Sequence, residues 1–194
     1  MNDIQTKIQK QQELATEIFD IAKTFGVDDL ILAGGAPRDW YFGLPASDLD
    51  FYTSLIRPNF RDELIKHSKH FETLFKGNSD DNLELIVSDG YECNPAISEI
   101  YELDYKGQNI QIIEHADVKT VVPEFVFGLC QIKWTPSGGF EPSKIFELCA
   151  DKKINIKTSK GYANFRKYSR KIRKKYPEFV LTTKAKAFDL WAGD

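Results

Sequence analysis

Residues 30–52, LILAGGAPRDWYFGLPASDLDFY, restrict the fold of this chain more than any other stretch. An apolar run enters Gly34-Gly35, a short helical segment with Pro37 in its first turn follows, and Gly43-Leu44-Pro45 turns the chain into a second apolar run. Pro37 fits there because a first-turn residue needs no N–H. Strand, double-glycine turn and helix start together form a backbone cradle suited to phosphate. Glycine admits unusual dihedrals and close approach, and the first amides of a helix have no intrahelical acceptor. The second run carries Asp48 and Asp50 two residues apart. On a strand both point to one face, where two carboxylates repel unless a cation lies between them. Hard divalent ions such as Mg²⁺ take oxygen ligands and leave room for phosphate oxygens.

The pattern Gly34-Gly35-x-x-Arg38-Asp39, then Asp48-x-Asp50 after the Gly43-Leu44-Pro45 turn, resembles the catalytic head of poly(A) polymerases and tRNA CCA-adding nucleotidyltransferases. About 25 residues carry the resemblance, at the spacing of the bacterial-type members. It implies a polymerase-beta-like α/β (α+β) head, a small mixed sheet flanked by helices. It also implies an NTP substrate held by Gly34, Gly35 and the Arg38-Asp39 pair, and Mg²⁺ bound by Asp48 and Asp50. Transfer of a nucleoside monophosphate to a hydroxyl, with an RNA 3′ end (tRNA among them) as acceptor, follows from the same likeness. Asp39 is suited to fixing Arg38 or capping the local turn.

The fold so implied uses a third acidic residue on a neighbouring strand. The run 108–115 is its natural place, and the expected position falls on Gln111, an amide. Glu114 is the acid of that run and the candidate third catalytic carboxylate, but in a regular strand it faces away from Gln111. A bulge would re-aim it; Glu102 or Asp104 on the partner strand are the alternatives. Two other functions stay open: a weakened head that binds nucleotide or RNA, in keeping with Gln111, and a transferase acting on a protein or small molecule.

Hydrophobic residues make up 42% and charged residues 28% of 194, the balance of a globular protein with an ordinary core. No apolar run approaches a membrane span, the first residues have no signal-peptide core, and Cys93, Cys130 and Cys149 form no Cys-x-x-Cys pair. A reducing cytoplasm and no membrane partner are expected. His67, His70 and His115 match no zinc pattern.

Residues 3–25 carry Ile4, Ile8, Leu14, Ile18, Ile21 and Phe25 at near-helical spacing, closed by Gly26. A second helix is expected over 61–75, and turns over 77–82. Strands are expected over 83–88, 98–105, 108–115 and 125–134, with Lys106-Gly107 as a hairpin turn. Thr135-Pro136-Ser137-Gly138-Gly139 divides a head, 1–135, from a short helical region, 136–194. Helices are expected over 143–151 and 163–176. Between Lys152 and Lys186 the net charge is +12, leaving −15 on the rest of the chain. Arg166, Arg170, Arg173 and Lys174, interleaved with Tyr162, Phe165, Tyr168 and Tyr176, form a candidate nucleic-acid surface.

Overall fold

The computed structural model describes residues 3–76, 96–149, 152–154 and 165–182. Its frame is a seven-stranded sheet: β1 (Ile31–Ala33), β2 (Asp48–Thr53), β3 (Ser68–Lys76), β4 (Ile97–Tyr105), β5 (Gln108–His115), β6 (Ile132–Thr135) and β7 (Gly139–Pro142), in the order β3-β4-β5-β2-β1-β6-β7. β2 runs parallel to β5, and every other neighbour in this sheet is antiparallel. The helices are α1 (Asp3–Thr24), α2 (Gly35–Tyr41), α3 (Pro58–Lys66), α4 (Val118–Glu124), α5 (Lys144–Cys149) and α6 (Phe165–Lys175). A two-stranded parallel ribbon pairs β8 (Lys153–Ile154) with β9 (Val180–Leu181). The fold is a mixed α+β arrangement, a seven-stranded mixed sheet flanked by helices.

Alternation along the strands sorts the two faces of the sheet. Leu49 and Phe51 of β2, Ile110 and Ile112 of β5, and Leu103 of β4 enter the main core with Ile18 of α1, Trp40 of α2 and Leu64 of α3. Tyr52 and Ile113, of the opposite parity, join Val118 and Val121 of α4 on the other face. Asp48 and Asp50 share the parity of Tyr52, so they stand on the face that α1 and α3 leave open.

α1 covers the expected range, but its buried stripe is Ile8, Gln11, Ala15, Ile18 and Ala22, while Ile4 is exposed. The apparent gap in the apolar pattern is thus part of the buried face. Gln11 accepts from Trp40 Nε1 (3.0 Å) and Ala46 N (3.0 Å), and donates to Ala46 O (2.8 Å) and Gln108 Oε1 (2.8 Å). A buried amide with all of these partners stabilises rather than destabilises. It ties α1 to α2, to the turn before β2 and to the start of β5.

Two expected elements are corrected. The helix over 61–75 ends at Lys66, and Ser68–Lys76 is the edge strand β3, paired antiparallel with β4. Neither glycine nor proline marks the switch at His67, so periodicity runs through it; long-range pairing with β4 decides the state. The strand over 125–134 reduces to β6. Before it come α4, capped by the Asp117 side chain accepting from Lys119 N (2.9 Å), and one turn of 3₁₀ helix at Gly128–Cys130. The hairpin over 98–115 forms as expected, with Lys106 and Gly107 both at positive φ. The turn cluster over 77–82, the strand over 83–88 and Cys93 lie outside the described residues.

The change in composition at residues 135–139 coincides with a turn inside the sheet, since β7 pairs with β6 along its length. Beyond it a second apolar cluster joins Phe127, Leu129, Cys149, Ile154, Ile172, Tyr176, Phe179 and Leu181, with Phe42 and Leu44 against it. Each large side chain buried there contributes about 1.5–3 kcal/mol. The basic C-terminal helix is therefore seated on the end of α2.

Candidate active site

A cavity of about 380 Å³ opens over the carboxylate face, lined by Gly34, Gly35, Asp48, Asp50, Gln111 and Lys171 among others. Gly34 closes β1 at φ 85, where any other L-residue is strained, and a Cβ on it would meet the Phe125 ring at 3.3 Å. Its amide donates to Ile132 O (3.0 Å), so β6 holds the turn in place. This spends the N–H of Gly34 on the sheet. Donors for an anion come from Gly35 onward, in the first turn of α2. A Cβ on Gly35 would make only ordinary contact, with Arg38 Nη2 at 3.8 Å, so folding does not demand glycine there.

Asp50 pairs in register with Gln111 of β5, which pairs with Glu102 of β4. Gln111 Nε2 donates to Glu102 Oε2 (2.8 Å), which fixes the orientation of the amide. Burial, and then the neighbouring Asp48 charge, push the Asp50 carboxyl up to about 8. Arg38 and Lys171 pull the other way without cancelling this. Two close carboxylates, one of them reluctant to ionise, have the character of a cation site. Among the described residues no group of three or more Asp, Glu, His or Cys side chains converges. The carboxylate pair Asp48 and Asp50, with Gln111 in register beside Asp50, fits an ion that completes its shell with phosphate oxygens and water.

Glu114 is not brought to this set. It pairs with Thr53 at the far end of β5 and shares the face of Ile110 and Ile112. Its carboxylate accepts from Ile56 N (2.7 Å) and Ser98 Oγ (2.6 Å), which secures the chain leaving β2. The register irregularity in this hairpin falls between Ile97 and Glu99 of β4 and does not turn Glu114 over.

Arg38 and Asp39 form the joint between α2 and α6. Arg38 donates from Nε to Asp39 Oδ1 (2.8 Å) and Tyr176 Oη (3.3 Å), and from Nη1 to Cys130 Sγ (3.3 Å). Asp39, only 2% exposed, also takes hydrogen bonds from Lys175 Nζ and Tyr176 Oη. Burial, reinforced by Asp39, raises the Tyr176 hydroxyl well above the usual tyrosine range, so it remains a donor.

Of the expected nucleic-acid residues, Arg170, Arg173 and Lys174 are exposed on α6, away from the cavity. Arg166 lies in the first turn of α6, and its side chain falls outside the described residues. Tyr176 is not a surface ring, being 1% exposed and packed against Phe42 and Phe179. Sequence reasoning missed Lys171 and Lys175 as cavity residues. The signal was present: Lys171, Ile172, Lys175 and Tyr176 recur at helical spacing, and the apolar pair marks their side as the buried one.

No protein-family profile matches the chain, and no curated protein does. Solved structures with the same architecture include CCA-adding and other tRNA-processing enzymes. A CCA-adding enzyme in complex with CTP aligns with a TM-score of 0.66 at 10% identity, over 98% of this chain and 46% of that one. The Thermotoga maritima CCA-adding enzyme complexed with tRNA gives 0.66 at 11%, over 98% and 45%. The Bacillus stearothermophilus CCA-adding enzyme in complex with CTP gives 0.51 at 17%, over 95% and 42%. The chain thus spans less than half the length of these neighbours, and the likeness is one of fold. No helix among the described residues is long and apolar enough to cross a membrane.

Proposed function

We propose that this chain is a Mg²⁺-dependent nucleotidyltransferase that moves a nucleoside monophosphate from an NTP to a hydroxyl, with an RNA 3′ end, that of tRNA included, as acceptor. One observation carries the reading: Asp48 and Asp50 stand together on the open sheet face, in the same cavity as the Gly34-Gly35 turn. In the reaction the acceptor oxygen bonds to the α-phosphorus, the bond from that phosphorus to the bridging oxygen breaks, and pyrophosphate leaves with the electron pair. The hydroxyl proton passes to solvent or to a carboxylate.

Mg²⁺ held by Asp48 and Asp50 would supply positive charge to the reacting phosphoryl oxygens. The chain supplies position. Gly35 lets a phosphate approach the backbone, and the neutral Gln111 amide, held by Glu102, stands in register beside Asp50. Tyr52, Phe125 and Phe127 form an apolar wall suited to the nucleoside. Arg170, Arg173 and Lys174, on the outer side of α6, are placed to meet an RNA backbone. A setting in the cytoplasm accords with these substrates.

A second reading, a head that binds nucleotide with little turnover, is favoured by a neutral amide in register with Asp50. Incubation with each labelled NTP, Mg²⁺ and total RNA separates the two. Label entering RNA, lost in Asp48→Ala, supports the transferase, whereas nucleotide binding without incorporation supports the second reading. Label on protein or on a small molecule redirects the acceptor.

A further inference from the structure

Among the described residues three cations line the cavity, and their partners differ. Arg38 is held by Asp39, by the Tyr176 hydroxyl and by Cys130, and its guanidinium lies 5.4 Å from the Tyr176 ring centre. Its side chain is 11% exposed. Swinging it toward a ligand would dismantle the joint between α2 and α6. Lys175 is tied to Asp39 and to Pro45 O (3.3 Å). Lys171 lies one turn earlier on the same side of α6, lines the cavity, and makes no ion pair with a described residue. Its charge reaches Asp50 across the cavity. Ile172 and Tyr176, buried beside it, fix the helix so that this side faces the carboxylates.

From this arrangement we infer that Lys171 is the principal cation for the substrate triphosphate, and that the C-terminal helix therefore completes the nucleotide site of the head. The inference rests on the nucleotidyltransferase reading and adds a residue to it. A triphosphate carries more negative charge than Mg²⁺ beside Asp48 and Asp50 can offset, so it needs a further cation from the protein. Arg38 and Lys175 share the Asp39 carboxylate and have structural work. An unpaired lysine on a flexible stem adapts to a phosphate chain as a point charge, without a fixed fork geometry. The helix thus divides its charges: Lys171 and Lys175 face the cavity, while Arg170, Arg173 and Lys174 face solvent.

The test is calorimetric titration of the full chain with inorganic tripolyphosphate and with each of the four NTPs, in Mg²⁺ and without RNA. Lys171→Met and Lys144→Met each remove one positive charge, the second from α5 outside the cavity, and both residues are exposed, so both variants fold. The expected result is binding about tenfold weaker for Lys171→Met, the size of one charge-assisted contact, and near-parental binding for Lys144→Met. Parental binding by Lys171→Met overturns the inference while the nucleotidyltransferase reading stands. Equal weakening in both variants also overturns it, because a general field would then be acting. Failure of the parent to bind tripolyphosphate or any NTP overturns the reading itself.

Discussion

In the metal-free protein, Asp50→Asn is expected to be more stable than the parent, by a margin that grows with pH. The folded-state carboxyl titrates near 8 against a usual value of 3.8. Below about pH 4 it is protonated in both the folded and the unfolded chain, and asparagine brings little. Between 3.8 and 8 the unfolded chain releases the proton and the folded chain retains it. Parental stability then falls by up to about 1.4 kcal/mol per pH unit. Above 8 the carboxyl is ionised in both states and the margin is constant. The interval of about four pH units sets a ceiling of roughly 6 kcal/mol. Asp50 keeps part of its surface in solvent, which screens its repulsion from Asp48, so a realised margin of about 1–3 kcal/mol is expected. Urea denaturation of both proteins in EDTA at pH 5, 7 and 9 measures it, and groups common to both cancel. Adding Mg²⁺ should narrow the margin, because an ion between Asp48 and Asp50 stabilises only the parent. An asparagine variant that is less stable at pH 9, or a margin that does not change with pH, would refute the reasoning.

Three further perturbations address other parts of the structure. Gly35→Ala should fold with parental stability, since its Cβ meets only an ordinary contact, yet lose NTP binding by tenfold or more in calorimetry because the methyl occupies the phosphate approach. Gln11→Leu should cost about 2–4 kcal/mol in urea denaturation, because it strands the Trp40 N–H and both backbone groups of Ala46 in the core. Asp39→Asn should cost about 3 kcal/mol and speed tryptic cleavage within α6, since it leaves Arg38 and Lys175 without their shared carboxylate. Cleavage at the parental rate would show that the apolar contacts of Tyr176 and Phe179 seat the helix without the ion pair.

What could be read from the sequence was what local chemistry dictates. The Gly34-Gly35 turn, β2 with its one-sided carboxylates and the Lys106-Gly107 hairpin each depend on residues within a few positions of one another. The likeness in fold to CCA-adding enzymes followed from the first two. Illegible were the features decided by distant partners. Ser68–Lys76 is a strand because β4 lies beside it, although its pattern also suits a helix. Gln11 looked like a gap in an apolar stripe because its four partners come from residues 40, 46 and 108. Charge counting gave the basic character of α6 but not its division into two sides. That division follows from Ile172 and Tyr176, whose burial depends on Phe42 and Phe127 far back in the chain.

The sheet is stitched along two seams that join remote parts of the chain, and each half of the candidate site straddles one of them. β1 meets β6 across about a hundred residues, and that seam anchors the amide of Gly34. β2 meets β5 across about sixty, and that seam sets Gln111 beside Asp50. A fragment ending before Ile132 would retain the whole recognisable motif and lack the strand that fixes its turn. Non-local pairs of this kind bear a large loop-closure cost and form slowly. The candidate site is therefore among the last features the chain assembles as it folds, and among the first it loses when either seam opens.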